Sequence, residues 1–359
     1  MTESTNLLQK AQTLGNPVIE GEQVTFVWEG DNPPYLLSDF NLWGADDSQP
    51  QTFTDAGDGI HTLTLTLPTD AYIEYALFTE KGDEDSRITD PLNNNLVDNG
   101  MDALNHYFTM PESTITPLAD LNRDIPQGIM TRQVIKNPFL LAGGERDVWL
   151  YKPVATSEPT PLLVVYDGWR SLKVLQITQV IDSLIGAGKI PPLAVALIDS
   201  SRDTRIIEYM AGDAMVKIIV DELLPLAHEH LDLLDTDSHP GAYGVCGASM
   251  GGLMAFYTAL RHPHIFSKAL CQSPSLPLIH NDYRSPTRAL LDTHDNAQHP
   301  IKIWIDSGTF EANTITRAEI AADLKQRGID TTYQQFNGGH NNTSWRSVLA
   351  PALITLFGD

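Results

Sequence analysis

Cysteine is scarce in this chain of 359 residues, which contains only Cys246 and Cys271. Each lies in an apolar run typical of a buried strand, at residues 242–246 and 268–272. Two separate cysteines in such runs favour buried free thiols over a disulfide framework or a cysteine-rich metal site.

Basic side chains are also few. The chain has 23 lysines and arginines against 46 aspartates and glutamates, a formal net charge of −23. This excess of acid repels polyanions, so we expect neither nucleic acid nor an anionic membrane surface as a partner. Residues 1–120 contain 21 acidic and three basic side chains. The uneven charge predicts a domain boundary close to residue 120.

Long apolar runs are missing as well. No stretch approaches the roughly 20 residues that a transmembrane helix requires. Residues 1–5 lack the basic and apolar regions of a secretory signal. We therefore expect a globular protein that acts in the cytoplasm, and the sequence does not predict its oligomeric state.

The N-terminal third has the pattern of an all-β domain. Residues 23–29 and 59–67 alternate in polarity with a period of two, and residues 71–78 form a strand rich in aromatic side chains. We predict a β-sandwich over residues 1–112 and a linker over 113–127. Four aromatic residues suggest either a sugar-stacking platform or, more simply, core packing: Trp28, Trp43, Tyr72 and Tyr75.

The remainder, residues 128–359, alternates between strands and helices. A hairpin is expected from strands 129–136 and 146–152, followed by buried strands at 161–166, 193–198 and 242–246. Helices are expected between them, at 172–187 and 211–230. This alternation predicts a doubly wound, mostly parallel sheet, whose function gathers at the carboxyl ends of the strands.

One turn in this region has the pattern of a nucleophile. Residues 247–251 read Gly-Ala-Ser-Met-Gly, the G-x-S-x-G elbow between a strand and a helix, with Ser249 at its tip. The two glycines suit a strained turn that lifts a serine clear of the sheet. The alternative is a glycine-rich turn with an incidental serine.

A nucleophilic serine needs a base and a carboxylate that orients it. His340 follows the last predicted strand, 331–336, in the position that α/β-hydrolases use for the base. Glu311 and Asp306 both lie at the end of strand 301–305. We prefer Glu311 because it sits in the following loop, whereas Asp306 is close enough to the strand to serve packing.

Backbone amides would stabilise the oxyanion. The Met250 N–H opens the helix after Ser249, and a second donor is expected in the loop after strand 161–166, from Gly168 or, preferably, Trp169. No metal or other cofactor is expected in this mechanism.

Together these motifs resemble the Putative esterase family of α/β-hydrolases, and most closely the enterochelin (ferric enterobactin) esterases. The similarity is carried by residues 166–168 (Tyr-Asp-Gly), the elbow, residues 308–311 (Gly-Thr-Phe-Glu) and residues 338–340 (Gly-Gly-His) with Trp345-Arg346 after them. The N-terminal region resembles the immunoglobulin-like module that precedes these enzymes, and also starch-binding-type sandwiches.

The resemblance implies a cytoplasmic serine esterase that hydrolyses trilactone catecholate siderophores and releases iron. It implies Ser249, His340 and Glu311 as the triad and the Trp169 and Met250 amides as the oxyanion hole. Four side chains would line the substrate pocket: Arg170, Arg205, Trp345 and Arg346. Arg205 could instead form an i,i+3 pair with Glu208. Asn341 and Asn342 depart from the family, which has acidic and aromatic residues there.

Two alternatives remain open. The first is a carbohydrate esterase that removes feruloyl or acetyl groups from sugars. The second is a ligand-binding relative that has lost turnover, against which the intact set of serine, acid and histidine argues. In every case the expected partner is a small molecule, in the first reading a ferric siderophore ester.

Overall fold

The computed structural model describes residues 2–46, 48–49, 51–100, 103–115, 125–154, 157–276 and 285–358. The chain divides into two compact units. The first contains the N-terminal residues up to 119 together with residues 308–312 and 335–347, and the second contains the rest. Sequence reasoning assigned those two later segments to the C-terminal domain. Most of the predicted linker, residues 116–124, lies outside the described residues.

The first unit is built on two antiparallel sheets. Their strand orders are β1-β2-β5-β4 and β3-β6-β9-β8, with β7 paired to β6. The strands are β1 (Val18–Glu20), β2 (Gln23–Glu29), β3 (Tyr35–Ser38), β4 (Thr54–Gly57), β5 (Ile60–Thr66), β6 (Tyr72–Phe78), β7 (Arg87–Ile88), β8 (Leu96–Asp98) and β9 (Leu104–Thr109). The predicted strands 23–29, 59–67 and 71–78 correspond to β2, β5 and β6.

Aromatic side chains from both sheets form the core of this unit. The Phe26 ring packs edge-on against Tyr75 and Phe108, with centroids 5.1 and 5.7 Å apart. Tyr72 and Tyr75 are completely buried. Buried rings cannot stack on a sugar, so core packing accounts for these two tyrosines and the platform alternative is wrong for them.

A helix precedes the first strand, where sequence reasoning expected only a polar lead-in. Helix α1 spans Glu3–Leu14, and the Thr2 side chain accepts a hydrogen bond from the Thr5 N–H at its start. Its apolar side chains pack with a small cluster that includes Val27 and Ile60. Burial of this narrow apolar face stabilises a segment whose composition is otherwise polar.

The second unit contains the predicted α/β sheet. Its strand order is β10-β11-β13-β12-β14-β15-β16-β17. The first two pairings are antiparallel, and the strands from β13 to β16 run parallel. The strands are β10 (Ile129–Lys136), β11 (Glu145–Lys152), β12 (Leu162–Val165), β13 (Ala194–Ile198), β14 (Tyr243–Ala248), β15 (Phe266–Gln272), β16 (Lys302–Phe310) and β17 (Asp330–Gly339).

Helices follow most of these strands: α2 (Gly168–Lys173), α3 (Ile177–Gly186), α4 (Arg205–Glu208), α5 (Asp213–Ile218), which continues through a π-helical segment (Ile219–Leu223) into α6 (Leu224–His230), α7 (Met250–Arg261), α8 (Pro286–Thr293), α9 (Thr314–Gln326) and α10 (Asn342–Phe357). The predicted helix 172–187 is divided at Gln176, which adopts a left-handed conformation with φ 56°. Sequence reasoning missed α8 and α10. Across the described residues, none of these helices is long and apolar enough to cross a membrane.

Both cysteines are buried free thiols, as predicted. Cys246, the last residue of the predicted strand 242–246, lies in β14, and Cys271 lies in the neighbouring β15. Burial raises the pKa of each thiol above its usual range, which disfavours the reactive thiolate. They therefore serve as small apolar core residues.

A buried glutamate makes the stability of the first unit depend on pH. Burial raises the pKa of Glu74 from 4.5 to about 7, although hydrogen bonds from Asn105 and Tyr72 act in the opposite direction. The folded state therefore holds a proton that the unfolded chain has released. This contribution to stability is fully present below pH 4.5 and is lost as the pH rises through about 7.

We expect the stability of Glu74→Gln, which stays neutral, to rise relative to that of wild type by on the order of 2 kcal/mol as the pH is raised from 5 to 8. The measurement is the free energy of unfolding by urea at both pH values. Glu22→Gln, at an exposed position of the same unit, is the matched control. An equal change in both variants, or no change in Glu74→Gln, would contradict the assignment.

Candidate active site

The elbow is formed as the sequence predicts. Ser249 lies between β14 and α7, with φ 57° and ψ −120°, a strained conformation for a residue with a side chain. A Cβ atom at position 247 would collide with the Gly251 carbonyl group. Only glycine at 247 lets the strand and the helix approach this closely, and the approach forces the sharp turn that presents Ser249.

The strand β15 holds the elbow from the other side. The Ser249 N–H donates to the Gln272 carbonyl at 2.8 Å, and the Ser249 carbonyl accepts from the Ser275 N–H at 2.9 Å. The two hydroxyl oxygens, Ser249 Oγ and Ser275 Oγ, are 3.4 Å apart. Sequence reasoning did not assign a role to Ser275, and its position just after β15 is the signal that could have suggested one.

The two proposed oxyanion donors differ in their surroundings. Met250 is the first residue of α7, and the first N–H groups of a helix lack acceptors within the helix. The Trp169 N–H instead donates to Asp199 Oδ1 at 3.3 Å. For Trp169 to serve as the predicted donor, an oxyanion would have to replace the Asp199 carboxylate as its acceptor.

Arg205 lies in a partly buried ion pair. Its guanidinium donates two hydrogen bonds of 2.6 Å to the Asp167 carboxylate. Glu208 pairs with Arg146. The suggested i,i+3 pair between Arg205 and Glu208 is therefore wrong. Because both carboxylate oxygens of Asp167 engage Arg205, this arginine fixes the loop after β12 to the segment after β13.

The histidine and its carboxylate meet in the first unit. Glu311 Oε2 is 2.7 Å from His340 Nδ1, and the other oxygen, Oε1, accepts from the Gly308 N–H at 2.7 Å. The Glu311 carboxyl group is almost completely buried, whereas the imidazole is partly exposed. A carboxylate at Nδ1 favours the tautomer with its proton there, so Nε2 is the nitrogen left to act as a base.

Asp306 occupies a different position. It lies inside β16, which extends to Phe310 and is longer than predicted. Its side chain is fully buried, with Oδ1 accepting from the Ser273 N–H and Oδ2 from Trp304 Nε1, both at 3.0 Å. Of the two carboxylates that sequence reasoning left open, Glu311 is the one hydrogen-bonded to His340.

The remaining predicted pocket residues differ in their surroundings. Trp345 is buried, and its ring packs edge-on against the His340 imidazole with centroids 4.8 Å apart. Arg346 is half-buried, and burial lowers its pKa. Arg170 is half-buried in α2. Within the described residues no cluster of three or more His, Cys, Asp or Glu side chains is arranged to hold a metal ion.

Comparison with known proteins shows which family and which relatives this chain resembles. A family model described as Putative esterase matches residues 141–356. The chain is 25% identical to the iron(III) salmochelin esterase of Escherichia coli O6:H1, over 99% of this chain and 94% of that one. It is 28% identical to the iron(III) enterobactin esterase of Escherichia coli K12, over 75% and 67% of the two chains.

A crystal structure of ferric enterobactin esterase from Salmonella typhimurium has the same fold, with a TM-score of 0.77 over 93% of both chains at 21% identity. It confirms the predicted α/β-hydrolase sheet preceded by a β domain. The family match covers more than half of the sequence. The chain therefore belongs to the Putative esterase family, as a carboxylic ester hydrolase that resembles the enterobactin esterases.

Proposed function

We propose that this protein is a serine esterase that opens the ester bonds of a trilactone catecholate siderophore through an acyl-enzyme. The observation that carries the proposal is the hydrogen bond between Glu311 Oε2 and His340 Nδ1, in a chain that also presents Ser249 on a strained elbow. These are the oriented base and the raised hydroxyl that acyl transfer requires.

In the proposed mechanism Ser249 Oγ attacks the ester carbonyl carbon while His340 Nε2 accepts the hydroxyl proton. The Met250 N–H stabilises the resulting oxyanion. His340 then donates the proton to the departing alkoxide, which leaves an ester on Ser249. Water, deprotonated by His340 in the same way, releases the acid and restores the serine.

The order of these residues along the chain supports this assignment. Ser249 follows β14, Glu311 follows β16, and His340 follows β17. His340 is bonded to Glu311, and the order serine, acid, histidine is that of α/β-hydrolases.

The second oxyanion donor is less direct. We assign it to the Trp169 N–H, provided that the substrate oxyanion replaces Asp199 as its acceptor. Burial raises the pKa of Asp199. Replacing Asp199 as acceptor would therefore take the Trp169 N–H from a carboxyl group whose ionised form burial already disfavours.

The substrate class is proposed from the related enzymes, which are iron(III) salmochelin and enterobactin esterases. Arg170 and Arg346 are the proposed contacts for the anionic catecholate, because planar cations suit such rings. We do not assign this role to Arg205, because it already pairs with Asp167, and Trp345 would act beside His340. We place the hydrolysis, and the release of iron from the ferric substrate, in the cytoplasm.

Removal of either reacting side chain should abolish turnover. We expect Ser249→Ala and His340→Ala each to lower kcat by about 10⁴-fold or more, because triad members act as a unit. A fluorophosphonate probe should label wild type and leave Ser249→Ala unlabelled. Near-normal turnover in either variant would refute the site, and an unlabelled wild type would favour a non-catalytic binder.

The two candidate carboxylates can be separated by isosteric changes. Glu311→Gln should lower kcat by about 10²-fold or more, since the amide cannot stabilise the imidazolium. Asp306→Asn should instead lower stability by about 1–3 kcal/mol, because its NH₂ group would face Trp304 Nε1 or the Ser273 N–H. Steady-state kinetics and urea unfolding measure the two effects, and the reverse order in kcat would reassign the acid.

The acyl group is tested by comparing substrates. We expect kcat/KM for enterobactin to exceed that for a feruloylated sugar and for p-nitrophenyl butyrate by at least about 10²-fold, since only the siderophore would use both proposed arginine contacts for its anionic catecholates. Product analysis by chromatography gives the rates. A preference for the feruloylated sugar would favour the carbohydrate esterase and leave the mechanism in place.

A further inference from the structure

A buried aspartate in the N-terminal sandwich contacts the segment that carries His340. Asp39 is completely buried. Its Oδ2 atom accepts from the Glu74 N–H at 2.8 Å and from Asn341 Nδ2 at 3.0 Å, and its Oδ1 atom accepts from Trp43 Nε1 at 3.1 Å. Asp39 and Asn341 are 302 positions apart in the sequence.

Both residues that flank His340 meet this carboxyl group. A Cβ atom on Gly339 would collide with the Asp39 carboxyl, so only glycine allows the backbone to lie against it. On the other side, Asn341 donates to Asp39 through Nδ2 while its Oδ1 accepts from the Ser344 N–H at 2.9 Å, at the start of α10. The peptide around His340 is thus in contact with Asp39 on both sides.

The segment that supplies Asp39 is itself strained. Leu42 and Trp43 both have positive φ values, 50° and 55°, in a short helical segment. Left-handed residues with side chains are energetically unfavourable and cluster at functional sites. Here the conformation places Trp43 Nε1 on Asp39, and a capping box between Ser38 and Asn41 stabilises the turn.

The electrostatic environment of Asp39 is also typical of a functional residue. Burial, followed by the charge of Glu74, raises the pKa of Asp39 well above its usual range. The Glu311 carboxyl is close enough to contribute in the same direction. Carboxyl groups with strongly shifted pKa values are enriched at functional sites.

We propose that Asp39 is a positioning residue for His340: it holds residues 339–341 so that the imidazole stays aligned with Glu311. It acts through Gly339 and Asn341 and is not a catalytic residue. The inference rests on the proposed function of His340. It assigns to the N-terminal sandwich a part in building the catalytic apparatus, beyond contact with substrate.

The first test removes the carboxyl group. We expect Asp39→Ala to lower kcat by about 30- to 100-fold with KM within about threefold of wild type, because displacement of a catalytic group by about 1 Å can cost about 10²-fold. Asp39→Asn should restore kcat to within about tenfold of wild type. The amide oxygen of the new asparagine can take the place of Oδ2, so this variant loses only the hydrogen bond from Trp43.

A second variant leaves the sandwich unchanged. Asn341→Ser keeps a side-chain oxygen that can cap α10 but is too short to hold the bond to Asp39. It should lower kcat to a similar extent as Asp39→Ala. The double variant should be no worse than the more affected single variant, since both substitutions remove the same bond.

Asp90→Asn is the matched control. Asp90 is a buried aspartate of the same sandwich, and it accepts from Tyr75 Oη at 2.7 Å and Asn16 Nδ2 at 2.8 Å. We expect its substitution to lower the midpoint of urea unfolding while kcat of the folded enzyme stays within twofold of wild type.

The outcomes separate the two hypotheses. Wild-type kcat in folded Asp39→Ala and Asn341→Ser would overturn the positioning role, as would an equal loss in Asp90→Asn. If Asp39→Ala does not fold, Asn341→Ser decides. Full activity in His340→Ala would instead overturn the proposed function.

Discussion

The hydrogen bond between Glu311 Oε2 and His340 Nδ1 determines which imidazole nitrogen can exchange a proton. It places one ring nitrogen on a buried carboxylate and leaves Nε2 available to accept a proton. The bond needs support on both sides. Glu311 is held by the Gly308 N–H, and the His340 ring packs against Trp345. In the proposed reaction each partner would therefore start already oriented, which lowers the entropic cost of catalysis.

Close backbone approach is the second recurring constraint. At the elbow, Gly247 allows β14 and α7 to meet, and the strain that results is concentrated on Ser249. Beside His340, Gly339 allows the chain to lie on Asp39. In both places a missing side chain permits a contact that positions a neighbouring reactive residue. The absence of a side chain at Gly247 and Gly339 is therefore explained by the neighbouring groups that it allows to come close.

The acidic composition of the N-terminal third also takes on a different meaning in the folded structure. Asp39, Glu74 and Asp90 are buried within hydrogen-bond networks, so they do not contribute to a negative outer surface. Burial raises the pKa of Asp39 and of Glu74, which reduces their ionisation further. The formal charge of this region therefore overstates its repulsion of an anionic ligand.

Local patterns in the sequence determined the elements and the chemistry. Strands β2 and β10 have the predicted bounds, the elbow carries Ser249 as expected, and His340 follows the last strand of the sheet. These features depend on neighbouring residues, through polarity alternation and turn geometry. The helices α1 and α10 were missed because their stability depends on packing and capping partners that composition does not reveal.

Only the tertiary structure paired His340 with Glu311 and not with Asp306, paired Arg205 with Asp167, and joined Asp39 to Asn341. Such choices depend on which distant side chains meet once the strands are in register. The sequence identifies the hydrogen-bond donors and acceptors of the chain. Which of them pair with one another depends on which are buried together in the folded interior, away from water.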